Sequence, residues 1–226
     1  MAIQNVISPF HRGLLFQYGP KCQHRPKSQR GLTLIEMMVA SLLGLMALSV
    51  TSQVMIRGQA YVAERSQQLL LVQNMNSVMQ VLKEDLYQAG FDPGGSVTLS
   101  GGDDVIQSGP DAASLGYVYR VAERGEQAYR NVVYRFDREE GVLRICEKAQ
   151  PAPLTFLQAS DSGWGGNCYS LFEPRQIRVS EFRVTTRRVA GVQATALLTE
   201  VRLSALLTRL PQFSHSLSFQ LLTRNQ

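Results

Sequence analysis

The sequence predicts an α+β fold, a long N-terminal helix packed on an antiparallel β-sheet. Three observations predict it. Residues 37–56 carry no charged residue and follow a basic stretch. An apolar period of threes and fours runs on beyond them to about residue 89. After residue 114 that period gives way to alternation in short runs separated by turn residues. A chain of 226 residues suits one domain with an extended appendage.

The apolar segment comes first. The run beginning Leu32-Thr33-Leu34-Ile35-Glu36 has Glu36 as its single charge up to Ile56. Residues 37–56 as a helix reach about 30 Å, the hydrocarbon thickness of a bilayer. Small residues (Ala40, Ser41, Gly44, Ala47, Ser49 and Ser52) recur in it, and small residues permit close helix–helix approach. Five basic residues and no acid lie in residues 1–31, so by the positive-inside rule the N-terminus stays cytoplasmic and the rest is exported.

The helix pattern continues through Tyr61, Leu69, Val72, Met75, Met79, Leu82 and Leu86, one apolar stripe on an amphipathic helix. Gly90 reads as its stop, with Pro93-Gly94-Gly95 behind it. Residues 90–116 read as a long irregular connection with a short strand at Ser96–Leu99. Strands are expected at Leu115–Val121, at Asn131–Phe136 and Gly141–Cys146 around the turn Asp137-Arg138-Glu139-Glu140, and at Gln176–Val189 with a bulge at Ser180-Glu181. Two more follow, at Ala196–Leu207 after the turn Ala190-Gly191 and over Leu217, Phe219 and Leu221. The helix stripe is the natural cover for that sheet.

Composition narrows the function. The net charge of +5 resides in the leader, and the remaining 18 basic and 18 acidic residues balance. No nucleic-acid contact is therefore expected. Cys22 lies in the leader. Cys146 and Cys168, with no CxxC and no clustered His, make a poor metal site. They make a disulfide if the body is exported, or two thiols if it is not. His11 and His24 also fall in the leader, leaving His215 as the body's single histidine, too little for a zinc site or a Ser/His/Asp set. Gly94-Gly95 and Gly101-Gly102 lack the Lys-Ser or Lys-Thr of a phosphate loop. Asp103-Asp104 near Asp111 has no EF-hand spacing and reads as a solvated loop rather than a calcium site. Trp164 among Gly163, Gly165 and Gly166 reads as a core residue beside the disulfide rather than an adhesive tip. The expectation is no enzyme, no cofactor and no metal.

Arg30-Gly31-Leu32-Thr33-Leu34-Ile35-Glu36 resembles the prepilin signature of type IV pili and type II secretion pseudopili. Leu32 departs from the commoner Phe. Asp85-Leu86-Tyr87-Gln88-Ala89-Gly90-Phe91, Val133-Tyr134-Arg135-Phe136 and Leu221-Leu222-Thr223-Arg224-Asn225 resemble segments of PilW-type minor pilins. Gly163-Trp164 before Cys168 is similar to the related PpdB proteins. Type II secretion pseudopilin J shares much of this layout. The resemblance implies a pilin-like fold in four parts: a leader, 1–31, that is removed; a membrane-spanning and filament-core helix, 32–56; an amphipathic helix, 57–91; and a periplasmic antiparallel β domain, 92–226.

It also implies cleavage after Gly31 and N-methylation of Leu32 by a prepilin peptidase/N-methyltransferase. Glu36 is then expected to meet the new α-amine of a neighbouring subunit during assembly. Paired burial offsets the desolvation of both charges. The alternative for Glu36 is a carboxylate that snorkels to the membrane interface. The partners implied are the peptidase, other minor pilins, the major pilin and inner-membrane lipid, in a Gram-negative-type bacterium. The function implied is a minor pilin that helps initiate a type IV pilus, near its tip. The alternatives are a type II secretion pseudopilin, and a single-span periplasmic binding protein that enters no filament.

Overall fold

The computed structural model describes residues 31, 33–161, 168–190 and 195–223. They run in the order α1 (Leu34–Gln88), β1 (Phe91–Asp92), β2 (Gly95–Ser96), β3 (Ile106–Ser108), β4 (Ser114–Arg120), β5 (Tyr129–Asp137), β6 (Val142–Gln150), α2 (Phe156–Ser160), β7 (Cys168–Ser170), β8 (Ile177–Ala190), β9 (Thr195–Leu207) and β10 (Ser214–Thr223). Residues up to Gln53 form one compact unit and those from Val54 a second.

In the first unit α1 is apolar on every side and its residues are exposed. It is long and apolar enough to cross a bilayer. In the second unit, Leu71, Met75, Met79, Leu82 and Leu86 are buried against the sheets. The stripe therefore begins later than expected. Tyr61 and Leu69 are exposed at 58% and 61%, and Leu71 is buried instead. Counting back four from Met75 selects Leu71 among three consecutive leucines.

The β region divides into two principal antiparallel sheets where one was expected. Strands β3-β4-β5-β6-β7 form the first, β10-β9-β8 the second, and β1-β2 make a short ribbon. The expected hairpin joins β5 and β6, and the expected bulge falls between Val179 and Glu181. The strand expected over Ser96–Leu99 reduces to Gly95–Ser96.

The five-stranded sheet is covered on both faces, which is why β5 does not simply alternate. Val132, Tyr134 and Phe136 join the main core with α1 and the second sheet. Val133 joins Leu99, Val118, Cys146 and Ala159 in a smaller core beneath α2. There the fully buried Asn131 donates to Lys148 C=O (3.3 Å) and accepts from Leu154 N–H (2.8 Å), so its amide is satisfied.

Gly90 ends the helix at φ +75°, a left-handed conformation, and a Cβ there would meet Val105 at 2.5 Å. Its N–H donates to Val118 C=O at 2.9 Å, tying the helix end to β4. One turn earlier, Tyr134 Oη donates to Asp85 Oδ2 at 2.5 Å. Burial and the neighbouring Asp85 carboxylate raise the Tyr134 hydroxyl well above the usual phenol range, so it stays a donor. Cys146 and Cys168 are register partners on β6 and β7 and form a disulfide, Cα–Cα 4.0 Å. It fastens a strand of three residues to its neighbour. Trp164 and the turn residue Gly191 lie outside the described residues, as do residues 1–30.

Candidate assembly site

The residues expected to carry function lie at the start of α1. Gly31 is exposed and lies ahead of the helix, while Leu32 lies outside the described residues. Thr33 is the cap. Its N–H and hydroxyl donate to Glu36 Oε2 at 2.9 and 3.0 Å, and Glu36 N–H donates back to Thr33 Oγ1 at 3.3 Å. This reciprocal pair is a capping box, which satisfies helix N–H groups that otherwise have no partner. The box uses nothing before Thr33, so removal of the preceding residues leaves its donors in place. The sequence signal for the box is the spacing Thr33-x-x-Glu36 just ahead of an apolar run.

Below Glu36 the hydroxyls of the apolar segment close on the helix's own backbone. Ser41 Oγ donates to Met37 C=O at 2.7 Å, Ser49 Oγ to Met46 C=O at 2.8 Å, and Ser52 Oγ to Leu48 C=O at 2.8 Å. Thr51 Oγ1 reaches Leu48 C=O at 2.9 Å. Hydroxyls bonded back to their own helix are cheap to place in hydrocarbon.

The helical repeat brings only part of the expected set together. At 3.6 residues per turn, Glu36, Ala40, Gly44, Ala47 and Thr51 share one face. The carboxylate stands at the end of a stripe of small residues, the kind that leaves room between helix backbones. Ser41, Ser49 and Ser52 lie off that face.

The body offers less chemistry. A cleft of about 850 Å3 at the β8 bulge is lined by Arg138, Arg178, Arg183, Asp111 and Glu181. Its charges are largely spent locally: Arg183 pairs with Glu181 (3.1 Å), Arg138 donates to Asp111 C=O (3.3 Å) and Arg178 to Glu139 C=O (3.1 Å). Asp104 pairs with Arg188 at 2.9 Å, and the Asp111 carboxylate accepts Ala113 N–H at 3.1 Å. Among the described residues no three His, Cys, Asp or Glu side chains cluster as a metal site would require.

Family comparison agrees with this division. The model of prepilin peptidase-dependent protein B matches residues 64–223, well over half of the chain. The chain belongs to that family. The prokaryotic N-terminal methylation motif matches residues 26–52, which include Gly31, Leu32, Glu36 and most of the apolar helix. No curated protein and no solved structure matches significantly. The two matched families are pilin-like structural proteins rather than enzymes. The chain is thus a pilin-like minor prepilin that depends on prepilin peptidase, and its apolar helix with the methylation motif marks single-pass anchoring in the inner membrane.

Proposed function

We propose that this protein is a minor pilin that helps initiate a type IV pilus, near the tip of the filament. A prepilin peptidase cuts after Gly31 and methylates Leu32. Residues 32–56 then form the membrane span and later the filament core. Residues 57–91 carry the helix into the body, and residues 92–226 form the body on the periplasmic side of a Gram-negative-type cell. Other minor pilins and the major pilin are its neighbours, and chemistry in the chain itself plays no part.

The observation that carries this reading is the position of Glu36. It is the one charged residue in residues 31–56, and it shares a helix face with Ala40, Gly44, Ala47 and Thr51. A carboxylate on a face made for close approach is costly in hydrocarbon unless the approaching chain brings a positive group. The α-amine created at Leu32 of a neighbouring subunit is such a group.

The test is intact mass of the membrane-extracted chain, made with and without its peptidase, together with incorporation of Glu36→Ala into sheared pili. The expected result is loss of residues 1–31 and gain of one methyl group only with the peptidase, and loss of Glu36→Ala from the filament although the chain is still cleaved. A full-length mass in both preparations, or normal incorporation of Glu36→Ala, overturns the proposal.

A further inference from the structure

The sheet edges of the body are not treated alike. Strands β3 and β7 have three residues each, and β7 is held by the disulfide. The outer edge of β8 is bonded at two points, Val179 N–H to Gly141 C=O (2.8 Å) and Val184 N–H to Ala112 C=O (2.9 Å). It also carries the bulge and Arg178, Arg183, Arg187 and Arg188. Short length, bulges and charge are the devices by which proteins stop an edge from pairing with another chain.

The strand β10 has none of these devices. Its ten residues pair with β9 in unbroken register from Ser214↔Leu206 to Thr223↔Leu197. It holds no Lys, Arg, Asp, Glu or Pro. Among the described residues no strand pairs with its other side. The bond from Leu207 N–H to Phe213 C=O, 3.1 Å, sets the phase of the ladder. By alternation, His215, Leu217, Phe219 and Leu221 turn their backbone groups toward β9, and Ser214, Ser216, Ser218, Gln220 and Leu222 turn theirs outward. The inward side chains of Leu217 and Phe219 pack on the main core but stay partly uncovered. One more strand would meet the outward N–H and C=O groups and finish covering both residues.

We propose that the outer edge of β10 receives an extended, uncharged strand from a neighbouring pilin-like subunit, which completes the three-stranded sheet. The occupant is peptide because the surface on offer is a row of backbone donors and acceptors. It is uncharged because the edge has no charge to meet one, and it places apolar side chains beside Leu217 and Phe219. It is a different subunit rather than a second copy. Two copies joined through the same edge form a closed pair, whereas a filament needs a head-to-tail contact that leaves the series open. This choice of partner rests on the filament reading above.

The experiment uses the full chain in cells that assemble the pilus, with the photo-crosslinker p-benzoylphenylalanine in place of Ser216. The expected adduct joins this chain to another protein whose N-terminus, read by mass spectrometry, is that of a cleaved and methylated prepilin. Ser218→Pro removes one outward N–H without touching the β9 ladder, and lowers the adduct yield by about fivefold to tenfold, as one lost backbone bond implies. Amide exchange at Ser216 and Ser218 in the unsubstituted chain is expected to be slower in the filament than in the detergent-extracted monomer. Unchanged exchange overturns the proposal even if the Pro variant does not fold. An adduct with a second copy overturns the choice of partner. A cleaved chain with no adduct overturns the edge proposal alone, whereas an uncleaved chain overturns the filament reading.

Discussion

The two parts of α1 obey different rules. Up to Gln53 every described residue is exposed and the side-chain hydrogen bonds turn back onto the helix itself. From Leu71 to Leu86 one residue in every three or four is buried against the sheets. The first part has closed its hydroxyls on its own backbone and keeps its apolar surface exposed. The second part spends its apolar surface inside its own fold. Stability and assembly should therefore be separable by where along one helix a change is made.

The largest expected effect breaks the second part. Leu82 is fully buried, and Leu82→Ala should destabilise the body by about 2–5 kcal/mol, the range for a leucine deletion that leaves a cavity. Leu42, 56% exposed in the apolar part, sets the contrast. Leu42→Ala should leave the melting temperature of the body unchanged. Thermal unfolding followed by near-UV circular dichroism checks both. A fall in Tm for Leu42→Ala as large as for Leu82→Ala would mean that the two parts are not independent.

A smaller effect is expected at the helix end. Tyr134→Phe leaves the half-buried Asp85 carboxylate without the hydroxyl that now donates to it. The cost should be about 1 kcal/mol, that of one lost hydrogen bond, because the Tyr117 hydroxyl also reaches Asp85. Asp85→Asn should cost less, because an amide still accepts from the hydroxyl. Equal losses would show that the charge of Asp85 contributes as much as the hydrogen bond from Tyr134. Chemical denaturation at neutral pH measures both.

The contrast within α1 was largely legible in the sequence. A run with no charge from Met37 to Ile56, followed by a helical period uninterrupted until Gly90, admits few other structures. The β5–β6 hairpin was legible because Asp137-Arg138-Glu139-Glu140 interrupts two alternating runs, and the bulge because the alternation shifts at Ser180. Two features of the fold were not. Leu69, Leu70 and Leu71 are equivalent as letters, and only the sheet beneath selects Leu71. The division into two sheets depends on which strands pair at a distance, and local alternation does not encode that. The prepilin motif could be read because it lies in one short contiguous segment. The edge of β10 could not, since an open edge is a property of what does not sit beside a strand.

The smallest expected effect is acid sensitivity, and it belongs to the body. Between Met37 and Ile56 no side chain titrates, so the helicity of that segment should not change with pH. In the body, the Gly94 N–H and then the Arg120 guanidinium hold the Asp92 carboxyl below the usual carboxylate range. The Glu140 N–H, helped by Arg144, does the same for Asp137. A carboxylate whose pKa is lower folded than unfolded adds stability above its unfolded value, about 3.9, and that stability is lost as pH falls through the folded value. The body should therefore keep a flat stability profile with respect to these two groups from pH 5 to pH 8 and weaken below about pH 4. Asp92→Asn and Asp137→Asn together should lower stability at pH 7 and make the acid limb shallower. Urea unfolding as a function of pH measures this. An acid limb of unchanged slope in the double variant would show that other carboxylates set the acid stability of the body.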